Sequence, residues 1–347
     1  MAKRITLADV ARRAGVSPST ASFVLTDRPN SRIAPATADR VRAAAEELGY
    51  TVDKTARGLR TGRSDAIGFI SDEVMLTRYA SAMIRGILNV GHQSEYAVLM
   101  AETDHEPLRT EDAVRVMRSR RVDGLALGMM RSRQIELPAG RGSLPTVIVN
   151  GYAAGVLCIL PDEYQAGLDA VNHLVTNGHR RIAFIGRSPA HLDPRVSVTI
   201  GRRLDGIAAG MAAAGIGFVH EVPGQEWDPE LGYRGAGEIL DNHDVTAIIA
   251  ANDRVAFGAY QAAGERGIAV GRDISVISFD DELLATYLRP QVTTLRLPYL
   301  EMGEIGARRL LDLIGAPERP TSDPASLETF VPMPLIERGS VATLSRN

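Results

Sequence analysis

Two groups of residues have the types and spacing to do chemistry. The first is Ser17-Pro-Ser-Thr-Ala-Ser22, where the hydroxyls of Ser17, Ser19, Thr20 and Ser22 crowd into six residues. Short donors and acceptors of this kind suit phosphate oxygens and base edges. The second is a set of polar residues that end apolar runs: Ser71–Asp72, Asn150, Arg187–Ser188, Asn252–Asp253 and Asp280–Asp281. Any one of them reads equally as a helix cap or loop residue, but five such ends converging on one crevice would line a ligand site. Catalytic constellations are missing. The only lysines are Lys3 and Lys54, so there is no phosphate-binding Gly-x-x-x-x-Gly-Lys-Ser/Thr. No His-Glu-x-x-His helix, Gly-x-Ser-x-Gly elbow or strand-linked Gly-x-Gly-x-x-Gly occurs. Adjacent residues at a strand end point to opposite faces, so Asp280 and Asp281 do not form an acid–base dyad. No catalytic residue, metal ligand set or cofactor is expected.

The elements that must carry the hydroxyl cluster are three short helices in residues 1–50. Thr6 and Asp9 have capping-box spacing, and Leu7, Val10, Ala11 and Ala14 then form one apolar stripe. Gly15 suits the left-handed residue after a helix, and Ser17 and Pro18 suit the N-cap and first position of the next. That second helix runs to Leu25. A third starts near Pro35, buries Val41, Ala44, Ala45 and Leu48, and stops at Gly49. Two helices joined by a tight glycine turn and closed by a third make a helix-turn-helix domain; a small bundle without a nucleic-acid role is the alternative. Residues 51–65 read as a polar, basic linker in which Leu59 stands isolated among charges.

The ends of the apolar runs need a different frame. From Ala66 onward β-branched runs (66–70, 97–101, 122–128, 146–150, 181–186, 246–251, 274–279) alternate with helical stretches (79–93, 107–120, 163–176, 202–214, 254–266, 299–314). This alternation predicts parallel sheets covered on both faces. About 270 residues are too many for one doubly wound sheet, so two α/β lobes are expected.

Charge separates the two parts. Residues 1–63 hold 12 Lys and Arg against 6 Asp and Glu, a net of +6, while the remainder holds 27 against 36, a net of −9. A basic head on an acidic body suits a module that binds a polyanion, joined to one that avoids it. The single cysteine, Cys158, rules out an intrachain disulfide framework and lies in an apolar run, as a buried structural thiol does. No run of apolar residues is long enough for a membrane helix, and the N-terminus lacks a signal-peptide core, so a cytoplasmic location is expected.

The residues also carry a family resemblance. Thr6-Leu-Ala-Asp-Val-Ala-Arg-Arg-Ala-Gly-Val-Ser17, Ser19-Thr-Ala-Ser22 with Val24-Leu25, and Arg40-Val-Arg-Ala-Ala-Ala-Glu-Glu-Leu-Gly-Tyr50 resemble the DNA-binding head of the lactose-repressor/galactose-repressor (LacI/GalR) family. The likeness continues through Ala56-Arg-Gly-Leu-Arg-Thr-Gly-Arg-Ser64, Asn177-Gly-His-Arg-Arg-Ile-Ala-Phe-Ile-Gly186, Ala251-Asn-Asp253 and Ile274-Ser-Val-Ile-Ser-Phe-Asp-Asp281. It implies a small all-α helix-turn-helix head on an α/β body of two Rossmann-like lobes, like type I periplasmic binding proteins. The implied domains are a DNA-binding domain at 1–50, a hinge helix at 51–65, and a body at 66–338. In that body the N-lobe is about 66–160 plus 294–326 and the C-lobe about 161–291 plus 327–338, with a polar tail at 339–347.

The resemblance implies a DNA-contacting set of Thr6, Ser17, Pro18, Ser19, Thr20, Ser22, Phe23, Arg28, Arg57, Leu59 and Arg60. Leu59 would be a minor-groove wedge and the arginines beside it phosphate contacts. Pro18 offers neither a side-chain donor nor an N–H, and Phe23 either meets a thymine methyl or packs against the domain. Val52-Asp53 departs from the family's usual Pro-Asn before the hinge. The implied effector set is Ser71, Asp72, Tyr79, Asn150, Arg203, Trp227, Asn252 and Asp280, with Trp227 either a stacking plate for a sugar or a loop anchor. The implied partners are pseudo-palindromic double-stranded DNA, a small effector such as a sugar, and a second copy of the chain, with no membrane. The expected function is effector-controlled DNA binding, as a repressor of a carbohydrate-utilisation operon. A soluble carbohydrate receptor without DNA function is the rival, and an enzyme stands third.

Overall fold

In a computed structural model the structure describes residues 5–25, 33–50, 63–75, 80–316 and 327–344. The chain divides into two compact units between Asp65 and Ala66. The small unit contains α1 (Leu7–Ala14), α2 (Pro18–Leu25) and α3 (Pro35–Glu47). Thr6 and Asp9 form the expected capping box, and Gly15 adopts the left-handed conformation, φ 66°, that lets the chain reverse into α2. The Ser17 hydroxyl accepts the Thr20 N–H at 3.0 Å and so caps α2. Val10, Ala11, Ala14, Ala21, Val24, Val41, Ala44 and Ala45 close the core.

The large unit holds two six-stranded sheets. Its elements in order are β1 (Ala66–Asp72), α4 (Ser81–Gln93), β2 (Ala97–Glu102), α5 (Pro107–Ser119), β3 (Gly124–Met129), β4 (Thr146–Val149) and β5 (Leu157–Pro161). There follow α6 (Glu163–Thr176), β6 (Ile182–Arg187), α7 (Ile200–Ala213), β7 (His220–Pro223), α8 (Pro229–Asn242), β8 (Ala247–Ala250), α9 (Asp253–Glu265), β9 (Ser275–Asp280) and α10 (Leu283–Tyr287). The chain ends with β10 (Thr293–Arg296), α11 (Tyr299–Gly315), β11 (Glu328–Val331) and β12 (Leu335–Ile336). The first sheet runs β11-β5-β4-β3-β1-β2 and the second β12-β10-β9-β8-β6-β7. Every pairing is parallel except β10 with β12. The inner strands of both sheets (β1, β3, β4 and β5 in the first, β6, β8, β9 and β10 in the second) are buried on both faces, which explains their continuous apolar runs, whereas the edge strands are partly exposed.

The lobe boundaries differ from those expected. Strand 293–296 belongs to the second sheet, where it pairs with β9, not to the first lobe. Strand 328–331 belongs to the first sheet, where it extends β5, not to the second. The chain therefore passes between lobes near Asp162, at Leu297–Pro298 and at Pro332–Pro334. Short strands with little alternation hid this, since only the added ladders reveal which sheet each completes. The segment from 339 is also not a free tail as far as it is described. Ser340 is buried, its hydroxyl accepts the Thr293 N–H at 2.8 Å, and the carbonyl of Ala342 lies 3.0 Å from His179 Nε2. Cys158 is buried as expected, and burial pushes its thiol up to about 11.

Candidate functional site

A cavity of about 380 Å³ lies in the large unit between the two lobes, within the range of small-molecule sites. Its most buried charges are Arg203 on α7 and Glu163 on α6. Gly206 on α7 and Gly167 on α6 let the two helices close up: a Cβ on Gly206 would stand 2.0 Å from the Tyr164 carbonyl oxygen, and one on Gly167 2.2 Å from that of Arg203. The approach brings Glu163, one residue inside α6, onto the guanidinium. Arg203 Nε and Nη2 donate to the two Glu163 oxygens at 2.6 and 2.7 Å, and Nη1 donates to the Ala251 carbonyl at 2.7 Å. Asp280, at the end of β9, lies 3.6 Å from Nη2. The guanidinium also lies over the Phe279 ring, 4.1 Å from its centroid.

Burial pushes the Asp280 carboxyl up to about 8. Arg203 opposes this, but Asp253, Glu163 and Glu282 add to it, and Glu163 has already neutralised the guanidinium. Asp253, beneath the cavity floor at the start of α9, is raised to about 7 by burial. It accepts hydrogen bonds from Ser278, from Thr294 at 3.0 Å and from the Glu282 N–H at 2.6 Å. It thereby joins β9, β10 and the loop that follows Asp280.

Trp227 lines the cavity, held by an Nε1–H bond to the Gly186 carbonyl at 2.8 Å and by the His191 ring against its edge at 4.6 Å. Asn252 caps α9 through Oδ1 and donates to the Trp227 carbonyl at 3.3 Å. Asn150, at the end of β4, donates to the carbonyls of Met129 and Met130 at 2.9 and 3.1 Å. It adopts φ 61° and Asp280 φ 99°, conformations that short Asn and Asp side chains tolerate better than most. Opposite lobes touch beside the cavity: the Ser132 and Thr199 hydroxyls are 2.8 Å apart, and the Val198 N–H donates to the Ser132 carbonyl at 2.6 Å. On the lining, four carboxylates (Glu73, Glu163, Glu226, Glu282) and the Asp280 carboxyl, which keeps its proton near neutral pH, face three guanidiniums (Arg131, Arg203, Arg254).

Of the expected effector set, Asn150, Arg203, Trp227, Asn252 and Asp280 meet on this lining. Ser71 and Asp72 do not. The Ser71 hydroxyl donates to Glu102 at 2.6 Å, and Asp72 pairs with His105 and with Arg133 at 2.7 Å, so both are turned into their own lobe. Tyr79 lies outside the described residues. The other strand-end residues are also engaged elsewhere: Arg187 with Glu221 at 2.5 Å, and Asp281 with Arg338 at 2.7 Å. Glu163, Ser132, Thr199 and His191 line the cavity without having been singled out from the sequence. Asp162 before α6, as an N-cap, was the one local hint that Glu163 begins a helix beneath the strand ends.

On the small unit, Ser17, Pro18 and Ser19 are exposed, and Thr20, Ser22 and Phe23 are half-buried along α2. The Thr6 hydroxyl is engaged with Asp9 at 2.6 Å. Arg28, Arg57, Leu59 and Arg60 lie outside the described residues.

Residues 6–53 match the family described as bacterial regulatory proteins, lacI family. Residues 171–341 match the periplasmic binding protein-like domain. Over 346 residues the chain is 33% identical to the HTH-type transcriptional regulator GalS of Salmonella typhimurium, spanning 97% of each. The chain belongs to the lacI family. This regulator is also 30% identical over 347 residues to the ribose operon repressor of Escherichia coli strain K12, spanning 96% of this chain and 99% of that one. Among solved structures, the lac repressor dimer bound to operator and the anti-inducer ONPF is similar at TM-score 0.74 and 26% identity, over 98% of this chain and 100% of that chain. A helix-turn-helix head and a two-lobed α/β body are thus the architecture of a DNA-binding transcriptional regulator. Among the described residues no helix is long and apolar enough to cross a membrane.

Proposed function

We propose that this lacI-family protein is a non-catalytic, cytoplasmic repressor that binds a pseudo-palindromic operator as a homodimer and is released by a carbohydrate seated between its lobes. The observation that carries the reading is one chain with both a capped helix-turn-helix unit and an interlobe cavity. That cavity gathers Asn150, Arg203, Trp227, Asn252 and Asp280 on one lining. Side-chain amides, a carboxyl and an indole suit a ring with hydroxyls at its rim and C–H groups on its face. In the head, Ser17, Ser19, Thr20, Ser22 and Phe23 on α2 are the base- and phosphate-facing candidates, with Thr6 and Arg28 as flanking contacts. Leu59, between Arg57 and Arg60, is the candidate wedge that unstacks a central base step. The names of the ribose operon repressor and of the operator-bound lac repressor dimer support the same division of labour.

The test is operator affinity of the full chain, on a site found by selection from random duplexes, as salt and sugar vary. Log affinity is expected to fall linearly with log salt, because arginines of the +6 head release counterions. An activating sugar is expected to lower operator affinity, and operator to lower sugar affinity by the same factor. Operator binding by residues 66–347 alone would overturn the assignment of DNA contact to the head.

A further inference from the structure

The electrostatics of the cavity narrow its ligand further than the family does. An arginine at the bottom of a cleft ordinarily invites an anion. Arg203 is placed for that, but its charge is already answered: Glu163 grips it through two hydrogen bonds at 2.6 and 2.7 Å, and Asp280 adds a second carboxyl at 3.6 Å. Both Glu163 and Arg203 are only 2% exposed, so solvent does little to weaken the pairing. Of the five guanidinium N–H groups, three are committed to Glu163 and the Ala251 carbonyl. What remains can donate to a hydroxyl oxygen, while a phosphate group would also face the Glu163 carboxylate. Arg254 is likewise held, by Glu282 at 3.1 Å, and Arg131 stands at the exposed rim, where solvent screens it. The amide of Asn150 turns both of its N–H groups to backbone carbonyls and keeps its oxygen as an acceptor. Acceptors therefore dominate the deep wall, and carboxylates outnumber guanidiniums over the lining.

We propose that the effector is an uncharged, hydroxyl-rich carbohydrate, and that Glu163, by holding Arg203, is the specificity-determining residue that makes the cavity reject phosphorylated sugars. This rests on the reading of the cavity as a carbohydrate site. Glu163 acts as a filter through Arg203: remove its charge and the buried cation becomes available to a phosphate.

The experiment uses the full chain and two matched sets of compounds, neutral mono- and disaccharides and their phosphate esters, screened by thermal shift and then titrated calorimetrically. A neutral sugar is expected to bind at least tenfold more tightly than its own phosphate ester. In Glu163→Gln that ratio is expected to shrink by a factor of ten or more, whereas Glu163→Asp, which keeps the charge, is expected to retain it. Retained operator binding checks that each variant is folded, and the wild-type ratio decides the matter by itself if Glu163→Gln does not fold. A phosphate ester that binds the wild type as tightly as the neutral sugar would overturn this inference and leave the carbohydrate reading standing. So would a folded Glu163→Gln with an unchanged ratio. Silence from both sets would end the carbohydrate reading, and this inference with it.

Discussion

The two lobes are built alike and hold different chemistry. Each sheet places its lobe's first strand between the second and third, and each lobe packs helices against one another through glycines. In the first lobe a Cβ on Gly86 of α4 would stand 2.2 Å from the Leu300 carbonyl oxygen, and one on Gly303 of α11 2.2 Å from that of Met83. That pair buries Met83, Ile87, Tyr299 and Met302. The corresponding close pair of the second lobe, α6 with α7, buries Glu163 and Arg203. The polar groups at the ends of β1 and β2 are drawn sideways into a cluster of Ser71, Asp72, Glu102, His105 and Arg133. Similar topology thus supplies similar sets of strand ends. Which of them become a site depends on what the neighbouring helices carry. The second lobe gives the cavity its buried Glu163–Arg203 pair, Asp280 and Trp227, and the first lobe adds Asn150, Ser132, Glu73, Arg131 and Tyr299.

The largest expected effect comes from making the second helix pair resemble the first. Arg203→Ala leaves the buried Glu163 and Asp280 without their cation, and breaking a buried pair from one side costs about 3–5 kcal/mol. Replacing both partners in Glu163→Leu, Arg203→Leu is expected to recover most of that stability, since a well-packed apolar pair of similar volume is often neutral or better. Ligand binding is expected to stay lost in the double variant. Urea unfolding with sugar titration on the same samples measures both. A single Arg203→Ala costing under about 1 kcal/mol would mean that the pair contributes little and the lobes do not differ as described.

Alkaline pH offers a second way to separate the lobes. Asp280 and Asp253 of the second lobe are raised to about 8 and about 7 by burial. A carboxyl whose folded pKa lies above its unfolded value holds its proton in the native state after the unfolded chain has lost it. The native state therefore binds more protons, and stability declines as pH rises from about 4 until both groups have ionised near pH 8. The half-buried His173 and the buried His179 and His191 are lowered by burial, so they weaken the fold below pH 6.5 and add nothing between 7 and 9. In the first lobe burial would raise Glu102, but the Ser71 hydroxyl and the N–H groups of Glu73, Asp104 and Thr103 outweigh it and hold it low. Its contribution is present above pH 4.5 and fades in acid. Hydrogen exchange at pH 7 and 9 is expected to loosen β8, β9 and α9 while β1 and β2 stay protected. Equal loosening of both sheets would count against the assignment.

What the sequence disclosed follows the same divide between local and long-range causes. The capping box of Thr6 with Asp9, the left-handed Gly15 and the Ser17 cap act within a few residues, and the three helices of the head begin and end close to where those signals lie. The buried strands 66–72, 124–129 and 275–280 announce themselves as apolar runs. Asn252 and Asp280 are legible as polar residues that end apolar runs, whereas Arg203 is legible only through the family resemblance. Glu163 is not legible, because its partner is forty residues away and meets it only through the approach of Gly167 to Gly206. Ser71 and Asp72 misled for the complementary reason. Their position at a strand end is what the sequence reports, but Glu102 at the end of β2, His105 in the loop after it and Arg133 in the loop after β3 decide where they turn.

That last pair permits the finest comparison. Asp72 and Asp280 both end a strand, both are largely buried and each faces an arginine, yet only Asp280 lines the cavity. Asp280→Ala removes a hydrogen-bonding partner from a buried ligand and is expected to cost about 1–3 kcal/mol of sugar binding, a loss of roughly 5- to 150-fold. Asp72→Ala frees Arg133 and His105, themselves about one-third exposed, and is expected to change sugar affinity by less than about threefold, because Asp72 does not line the cavity. Calorimetric titration of both variants with the sugar that stabilises the wild type makes the measurement. Equal losses would mean that the ion cluster around Asp72 reaches the cavity through Glu73, which touches both His105 at 2.7 Å and the lining. In that event the ion cluster of the first lobe would take part in binding.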